Sequence, residues 1–182
     1  DLREVYYGLD CQMLLYLFTL ERHGGHLFSQ GTAAGVEYLW ADPAPENIIR
    51  PETDDAEPSQ AQNYPLEGLL LDEPSIYHAM DTRGTGAFVP LSFSAKTGEP
   101  TAQSAKARLA DREKFNRIRD HLDGMLTDMA KNLYSGEIDA APLVPNAGKS
   151  PCLWCEYRTV CRHADGEGER TPLKPDDPFG AE

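Results

Sequence analysis

The sequence predicts a mixed α/β fold, on three observations. Apolar residues recur at helical spacing over 9–23 and again over 111–134. Short runs with strand character lie between them, at 32–41, 69–71 and 88–93. With 182 residues, 40% of them hydrophobic, the chain has room for one ordinary domain and a tail.

The opening Asp1-Leu2-Arg3-Glu4-Val5-Tyr6-Tyr7-Gly8 reads as interior sequence running into a helix, so the chain is expected to be a fragment of a longer protein. The first helix is predicted from Leu9 to His23. Leu9, Met13, Leu17 and Leu20 keep helical spacing, and Leu14, Leu15 and Phe18 widen the stripe. So apolar a circumference predicts a buried helix, stopped by Gly24-Gly25. Thr32 to Ala41 alternates as a strand, with Ala34, Val36, Tyr38 and Trp40 on one face and Glu37 on the other. Residues 42–65, rich in Pro, Asp, Glu and Gln, read as a loop insertion. Leu69-Leu70-Leu71 reads as a short buried strand. Asp72 or Glu73, ahead of Pro74, opens a brief helix to about Met80.

Phe88 to Phe93 is predicted as a strand held at an edge by Pro90. Residues 102–110 are too polar to assign to any element. From Asp111 to Tyr134 a long helix carries Phe115, Ile118, Leu122, Met125, Met129 and Leu133 on one face, with Ser135-Gly136 as its stop. Its other face mixes Arg112, Lys114, Arg117, Arg119 and Lys131 with acids, which reads as a solvated face rather than a nucleic-acid stripe. Ala140 to Pro151 is an extended connector. Beyond His163 an acidic tail is predicted to be disordered.

Seventeen basic against 30 acidic residues give a net charge of −13, which argues against autonomous nucleic-acid binding while leaving room for a local positive groove. No apolar run is long enough to span a membrane and no secretory signal is visible, so a cytoplasmic location is expected. Three of the four cysteines crowd together while Cys11 lies far off in an apolar segment, a pattern that suits metal chemistry better than disulfides.

The crowded three form Cys152-Leu-Trp-Cys155-Glu-Tyr-Arg-Thr-Val-Cys161. A two-residue spacer lets a tight turn aim two thiolates at one point, and the third returns after a further turn. Zinc and an iron–sulfur cluster both accept such a set. Trp154, Tyr157 and Val160 are expected to screen the sulfurs from water. Three fourth ligands are open: the local His163, which would complete a zinc site; the remote Cys11; or a cysteine outside this chain.

In the first helix Gln12 and Tyr16 stand four residues apart on one face. Taken alone, they read as a polar pair satisfied within the core. The segment Tyr6-Tyr7-Gly8-Leu9-Asp10-Cys11-Gln12-Met13-Leu14-Leu15-Tyr16-Leu17 nevertheless resembles the helix that follows the catalytic strands in RecB-type nucleases of the PD-(D/E)xK superfamily. There a Gln-x-x-x-Tyr motif flanks the metal site. Residues 33–39 resemble the next strand. Residues 136–142 and the cysteine run resemble the closing segment of AddB-type subunits of bacterial ATP-dependent helicase–nucleases.

The resemblance implies an incomplete restriction-endonuclease-like core followed by a long helix and a cysteine-rich cluster-binding segment. Residues 1–140 would be the later part of the nuclease domain, 141–163 the iron–sulfur segment and 164–182 the tail. It implies that Cys152, Cys155 and Cys161 bind a 4Fe-4S cluster whose fourth cysteine lies off this chain, with Cys11 and His163 as bystanders. It further implies Mg²⁺-dependent, 5′→3′ cleavage of DNA in double-strand break repair, beside an AddA-type partner, with Gln12 and Tyr16 in support of catalysis. No Asp/Glu-x-Lys motif precedes Gln12, so the Mg²⁺-binding carboxylates and the lysine are expected upstream of residue 1. This piece alone is then expected to be inactive. Two rival readings are a zinc-binding interaction module, built on Cys152, Cys155, Cys161 and His163, and another cluster-bearing nuclease of the same family, such as a CRISPR adaptation nuclease.

Overall fold

A three-stranded sheet carries the elements around the candidate site in this computed structural model. The structure describes residues 1–26, 31–39, 66–144, 150–161, 163, 167–172 and 177–180. The expected loop at 42–65, and Trp40 and Ala41 at the end of the expected strand, lie outside the described residues. Two units are distinguished: Gln12–Asn116, and Asp1–Cys11 together with Arg117–Glu182.

In the unit Gln12–Asn116, helix α2 (Gln12–His23) begins three residues later than the periodicity predicts. Leu9 lies outside it because Gly8 (φ 81°) and Asp10 (φ 50°) turn the backbone away from a helical path. Strand β1 (Gly35–Leu39) pairs antiparallel with β2 (Leu66–Leu71). Their register sets Glu37 opposite Gly68, where a β-carbon would strike the carbonyl oxygen of Val36. A glycine in mid-strand is thereby explained by close backbone approach. Leu69, Leu70 and Leu71 are all buried, so this end of β2 is covered on both faces.

Helix α3 (Pro74–Met80) starts as predicted, with Glu73 extended at the N-cap and Pro74 in the first turn. The expected strand at 88–93 is not formed. Val89 and Leu91 do alternate into the core, at 1% and 3% exposure, but the backbone makes only an isolated bridge, Phe93 to Pro100. Two causes are local: Pro90 has no N–H to give a ladder, and the preceding loop is organised around Asp81. The unassigned stretch becomes α4 (Ala102–Arg108), capped by the Thr101 hydroxyl, and β3 (Leu109–Ala110), which pairs parallel with Leu70 and Leu71. Leu70, Tyr77, Val89, Leu91 and Leu109 form the core, with Phe93 and Ala105 packed against it.

Helix α5 (Arg112–Ser135) is capped by Asp111, whose Oδ1 accepts from the Lys114 amide at 2.6 Å, and it gives its first five residues to this unit. In the other unit α5 buries Ile118 and Leu122. Its predicted apolar stripe then emerges into solvent, with Met129 52% and Leu133 76% exposed, before Gly136 (φ 77°) ends the helix. Helix α1 (Leu2–Tyr6) in the same unit is capped by Asp1.

The tail differs from the expectation of disorder in its described parts. Phe179 is 3% exposed, set edge-on to Tyr6 and His121 with ring centroids 5.8 and 5.4 Å away, and its carbonyl accepts from Arg117 Nε at 2.8 Å. Arg170 bridges to Leu143 through the Pro142 carbonyl and the Val144 amide. Among the described residues no helix is long and apolar enough to cross a membrane.

Candidate functional site

Helix α2 buries Leu14 and Phe18 and leaves the opposite side open, where the sequence led to an expectation of burial almost all round. Phe18 meets Phe115 edge-to-face, with centroids 6.4 Å apart. On the open side Gln12, Tyr16, Thr19, Leu20 and His23 follow one another at helical spacing, and Tyr16 and Leu20 are 54% and 52% exposed. Gln12 and Tyr16 are therefore not a polar pair enclosed in the core.

The two side chains do meet: Gln12 Nε2 donates to Tyr16 Oη at 2.7 Å. That bond uses one amide proton and one phenolic lone pair. It leaves the phenolic proton free to donate and the Gln12 Oε1 free to accept. The pair thus presents one donor and one acceptor side by side, suited to hold a water or an oxygen of a phosphoester.

Close to this helix, Glu21 Oε1 accepts from the Ala33 amide at 2.8 Å, tying α2 to the segment leading into β1. On β1, Glu37 is half-buried. Burial pushes its carboxyl above the usual range, and its Oε1 is enclosed with no hydrogen-bond partner among the described residues. Cations of α5 are engaged within the protein. Arg112 reaches Glu73 at 3.6 Å and the Ala33 carbonyl at 3.2 Å, Arg119 pairs with Asp120, and Lys131 pairs with Asp128.

The cysteine segment is built from two short turns. The Ser150 hydroxyl caps a 3-10 turn over Pro151–Trp154, and Cys155 closes it by donating to the Cys152 carbonyl at 3.4 Å. Helix α6 (Arg158–Cys161) follows, with the Cys161 amide on the Tyr157 carbonyl at 2.8 Å. Cys152 is half-buried, Cys155 and Cys161 are exposed, and all three are free thiols. Three thiols on adjoining turns suit zinc or an iron–sulfur cluster in kind. Their side chains do not converge: among the described residues no group of three His, Cys, Asp or Glu side chains is placed to hold a metal ion.

The expected screen is not formed either. Trp154, Tyr157 and Val160 are 87%, 72% and 80% exposed, because two single turns have too little surface to fold these side chains over the sulfurs. His163 is half-buried, and its Nε2 is enclosed without a partner among the described residues. Cys11 sits just before α2, with Sγ 3.6 Å from the Gly8 carbonyl, in a local role.

Asp81 belongs to none of the sequence motifs, yet its buried carboxylate is densely hydrogen-bonded. It is 1% exposed. Its Oδ2 accepts from Gly86 N at 2.7 Å, Ala87 N at 3.1 Å and Thr85 Oγ1 at 3.2 Å, and its Oδ1 accepts from Arg83 N at 3.2 Å. Burial raises its carboxyl, but the donors of Gly86, Thr85, Ala87 and Arg83 outweigh burial and hold it below its ordinary value of 3.8. An Asp followed by glycines three and five residues on, Gly84 and Gly86, was the available signal for a loop wound around a carboxylate.

A family model described as the PD-(D/E)XK nuclease superfamily matches residues 1–162. Among curated proteins, the B subunit of the ATP-dependent helicase/deoxyribonuclease of Exiguobacterium sibiricum is 28% identical over 169 residues, covering 89% of this chain and 14% of that protein. The protein of the same name from Clostridium botulinum (strain Loch Maree) is 28% identical over 165 residues, covering 88% and 14%. That of Bacillus subtilis (strain 168) is 27% identical over 178 residues, covering 96% and 15%. The chain spans about one seventh of the length of these relatives.

Proposed function

The chain belongs to the PD-(D/E)XK nuclease superfamily, and from that premise we propose that it is the later part of the nuclease domain of an AddB-like helicase–nuclease subunit. The observation that carries this reading is the Gln12–Tyr16 hydrogen bond on the open face of α2. It is supported by the likeness to the helicase/deoxyribonuclease relatives along nearly the whole chain. In the longer protein the domain would cleave one DNA strand in the 5′→3′ sense during double-strand break repair, beside an AddA-type partner.

Carboxylates supplied by other parts of that protein would hold Mg²⁺, whose charge would offset that of the scissile phosphate, and a lysine there would orient or activate the attacking water. Gln12 and Tyr16 act as positioning residues. The tyrosine hydroxyl donates to a phosphate oxygen or to the attacking water, while the glutamine fixes the phenol's orientation through the 2.7 Å bond. Cys152, Cys155 and Cys161 would supply three ligands to a 4Fe-4S cluster, whose role is to fasten the end of the domain to an earlier segment.

The test is made in the longer protein. Gln12→Ala and Tyr16→Ala should each lower cleavage about tenfold or more with iron content unchanged. Cys155→Ser should remove the iron. Stoichiometric zinc with no iron after anaerobic purification would overturn the cluster in favour of a zinc module. Equal loss of iron and cleavage in the Gln12 and Tyr16 variants would reduce those residues to a folding role.

A further inference from the structure

A slot lies in the unit that holds α1 and the later part of α5. Its wall is the Tyr6 ring stacked on His121, with centroids 4.6 Å apart and planes 11° from parallel. His121 Nε2 donates to the Tyr6 carbonyl at 2.8 Å, and Tyr7 stands edge-on to Tyr6 at 5.2 Å. These contacts are made without the chain's late residues, so the wall is preformed. Tyr6 is 36% exposed with those residues in place, so the slot opens at the surface.

What fills it is a short turn. Asp177-Pro178-Phe179-Gly180 sets aspartate, proline and glycine first, second and fourth, where a β-turn favours them. The Gly180 amide donates to the Asp177 carbonyl at 3.2 Å, and the Phe179 amide donates to Asp177 Oδ1 at 3.4 Å. The turn satisfies these amides within itself and meets the slot through the Phe179 ring and carbonyl. The ring is 3% exposed, and the carbonyl accepts from Arg117 Nε at 2.8 Å. A short turn fastened in this way opens at low cost.

Arg117 sets the chemistry of a better ligand. Here it bonds a neutral amide carbonyl. A peptide whose last residue is the phenylalanine would put a carboxylate at that position, and a guanidinium binds a charged acceptor more strongly than a neutral one. An aspartate two residues earlier keeps the bond to the phenylalanine amide, and the proline between them keeps the backbone preset for the turn. The net charge of −13 opposes an anion at long range, but salt screens it beyond about 8 Å, and the contact with Arg117 is far shorter.

We propose that this slot is a binding site for the C-terminal tail of another protein, an acidic peptide ending in Asp-Pro-Phe, and that residues 177–180 occupy it as a displaceable plug. The ligand's ring stands edge-on to the Tyr6–His121 stack, and its terminal carboxylate lies on Arg117. A plug on the same chain acts at an effective concentration of about a millimolar, which sets the threshold that a free peptide must pass. Binding here is independent of the nuclease reading.

The experiment is fluorescence-anisotropy titration of the purified protein with a labelled Asp-Asp-Asp-Pro-Phe peptide carrying a free carboxylate. Phe179→Ala, checked for folding by circular dichroism, should bind it at least about tenfold more tightly than the wild type, because the plug is gone. The same peptide amidated at its end should bind about fivefold more weakly, and Arg117→Ala in the Phe179→Ala background should erase that difference. In the wild type, millimolar peptide should displace the turn and speed proteolysis around residue 179, a readout that stands even where Phe179→Ala does not fold.

Equal binding by folded Phe179→Ala and the wild type overturns the proposal. So does binding unchanged when the peptide's phenylalanine is replaced by alanine, or wild-type proteolysis indifferent to millimolar peptide. A wild-type dimer that falls apart on Phe179→Ala assigns the slot to a second copy's tail and overturns it too.

Discussion

Replacing Asp81 with alanine is the sharpest single test of how the Gln12–Asn116 unit is held together. The carboxylate accepts four hydrogen bonds while 1% exposed, so its removal strips one hydroxyl and three backbone amides of their acceptor. Arg83, Thr85 and Ala87 belong to exposed residues, and water takes over much of each bond, leaving about 0.5 kcal/mol apiece. Gly86 is half-buried with the shortest contact, 2.7 Å, and losing a charged acceptor there costs about 2 kcal/mol. The sum is about 3.5 kcal/mol, a fall of roughly 1.8 M in the urea midpoint at an unchanged slope of about 2 kcal/mol/M.

Amide hydrogen exchange gives the local readout, since Gly86 and Ala87 should exchange faster in Asp81→Asn than in the wild type. The carboxyl is held below 3.8 in the folded protein, so its contribution is complete above that value and is lost as pH falls through the lower folded one. The stability gap between wild type and Asp81→Ala should therefore stay constant from neutral pH to about 5 and narrow as pH falls below about 4. An Asp81→Ala protein within about 0.5 kcal/mol of wild type at pH 7, or a gap indifferent to acid, would refute the reasoning.

Two further outcomes are expected. Gly68→Ala places a methyl group against the Val36 carbonyl across the β1–β2 ladder and should cost about 2 kcal/mol or more in urea denaturation. The cause is a collision with backbone rather than a forbidden dihedral, so Gly68→Ser should do no better. Phe179→Ala removes the ring that stands edge-on to the stacked Tyr6–His121 pair and should cost about 3 kcal/mol, with faster proteolysis around residue 179. A tail that truly lacked structure would lose nothing.

Elements with strong local signals were legible in the sequence. Glu73-Pro74 marked the start of α3, the three leucines marked β2, and Asp111 with the following period marked α5. Elements decided by distant partners were not. Residues 88–93 have the alternation of a strand, but β2 already pairs with β1 and β3, and Pro90 gives no amide to a further ladder. Residues 102–108 have little apolar character and fold as a helix through the Thr101 cap and contact of Ala105 with the core. Phe179 could not be placed because its partners, Tyr6 and His121, lie far away in sequence, and no periodic pattern points from one to the others. At the candidate site the spacing of Gln12 and Tyr16 gave their shared face, and the cysteine spacing gave the paired turns. Convergence of the thiols is a matter of side-chain packing, on which spacing is silent.

The burial of α2 decides how its polar pair is to be understood. Counting apolar residues around the helix led to a core helix, in which Gln12 and Tyr16 would have to satisfy every polar group they carry. In the structure the helix buries Leu14 and Phe18 only, and the pair stands on the open side next to Leu20. Hydrophobic count cannot separate a helix covered all round from one whose second apolar side awaits another surface, because both carry the same residues. The hydrogen bond separates them. A pair satisfied in the core would have spent its donors and acceptors, whereas the 2.7 Å contact leaves the Tyr16 proton and the Gln12 carbonyl uncommitted and facing outward. An exposed leucine beside an outward donor and acceptor describes a face that works in contact with something else. On the reading proposed above, that partner is a phosphoester and the surface that holds the metal.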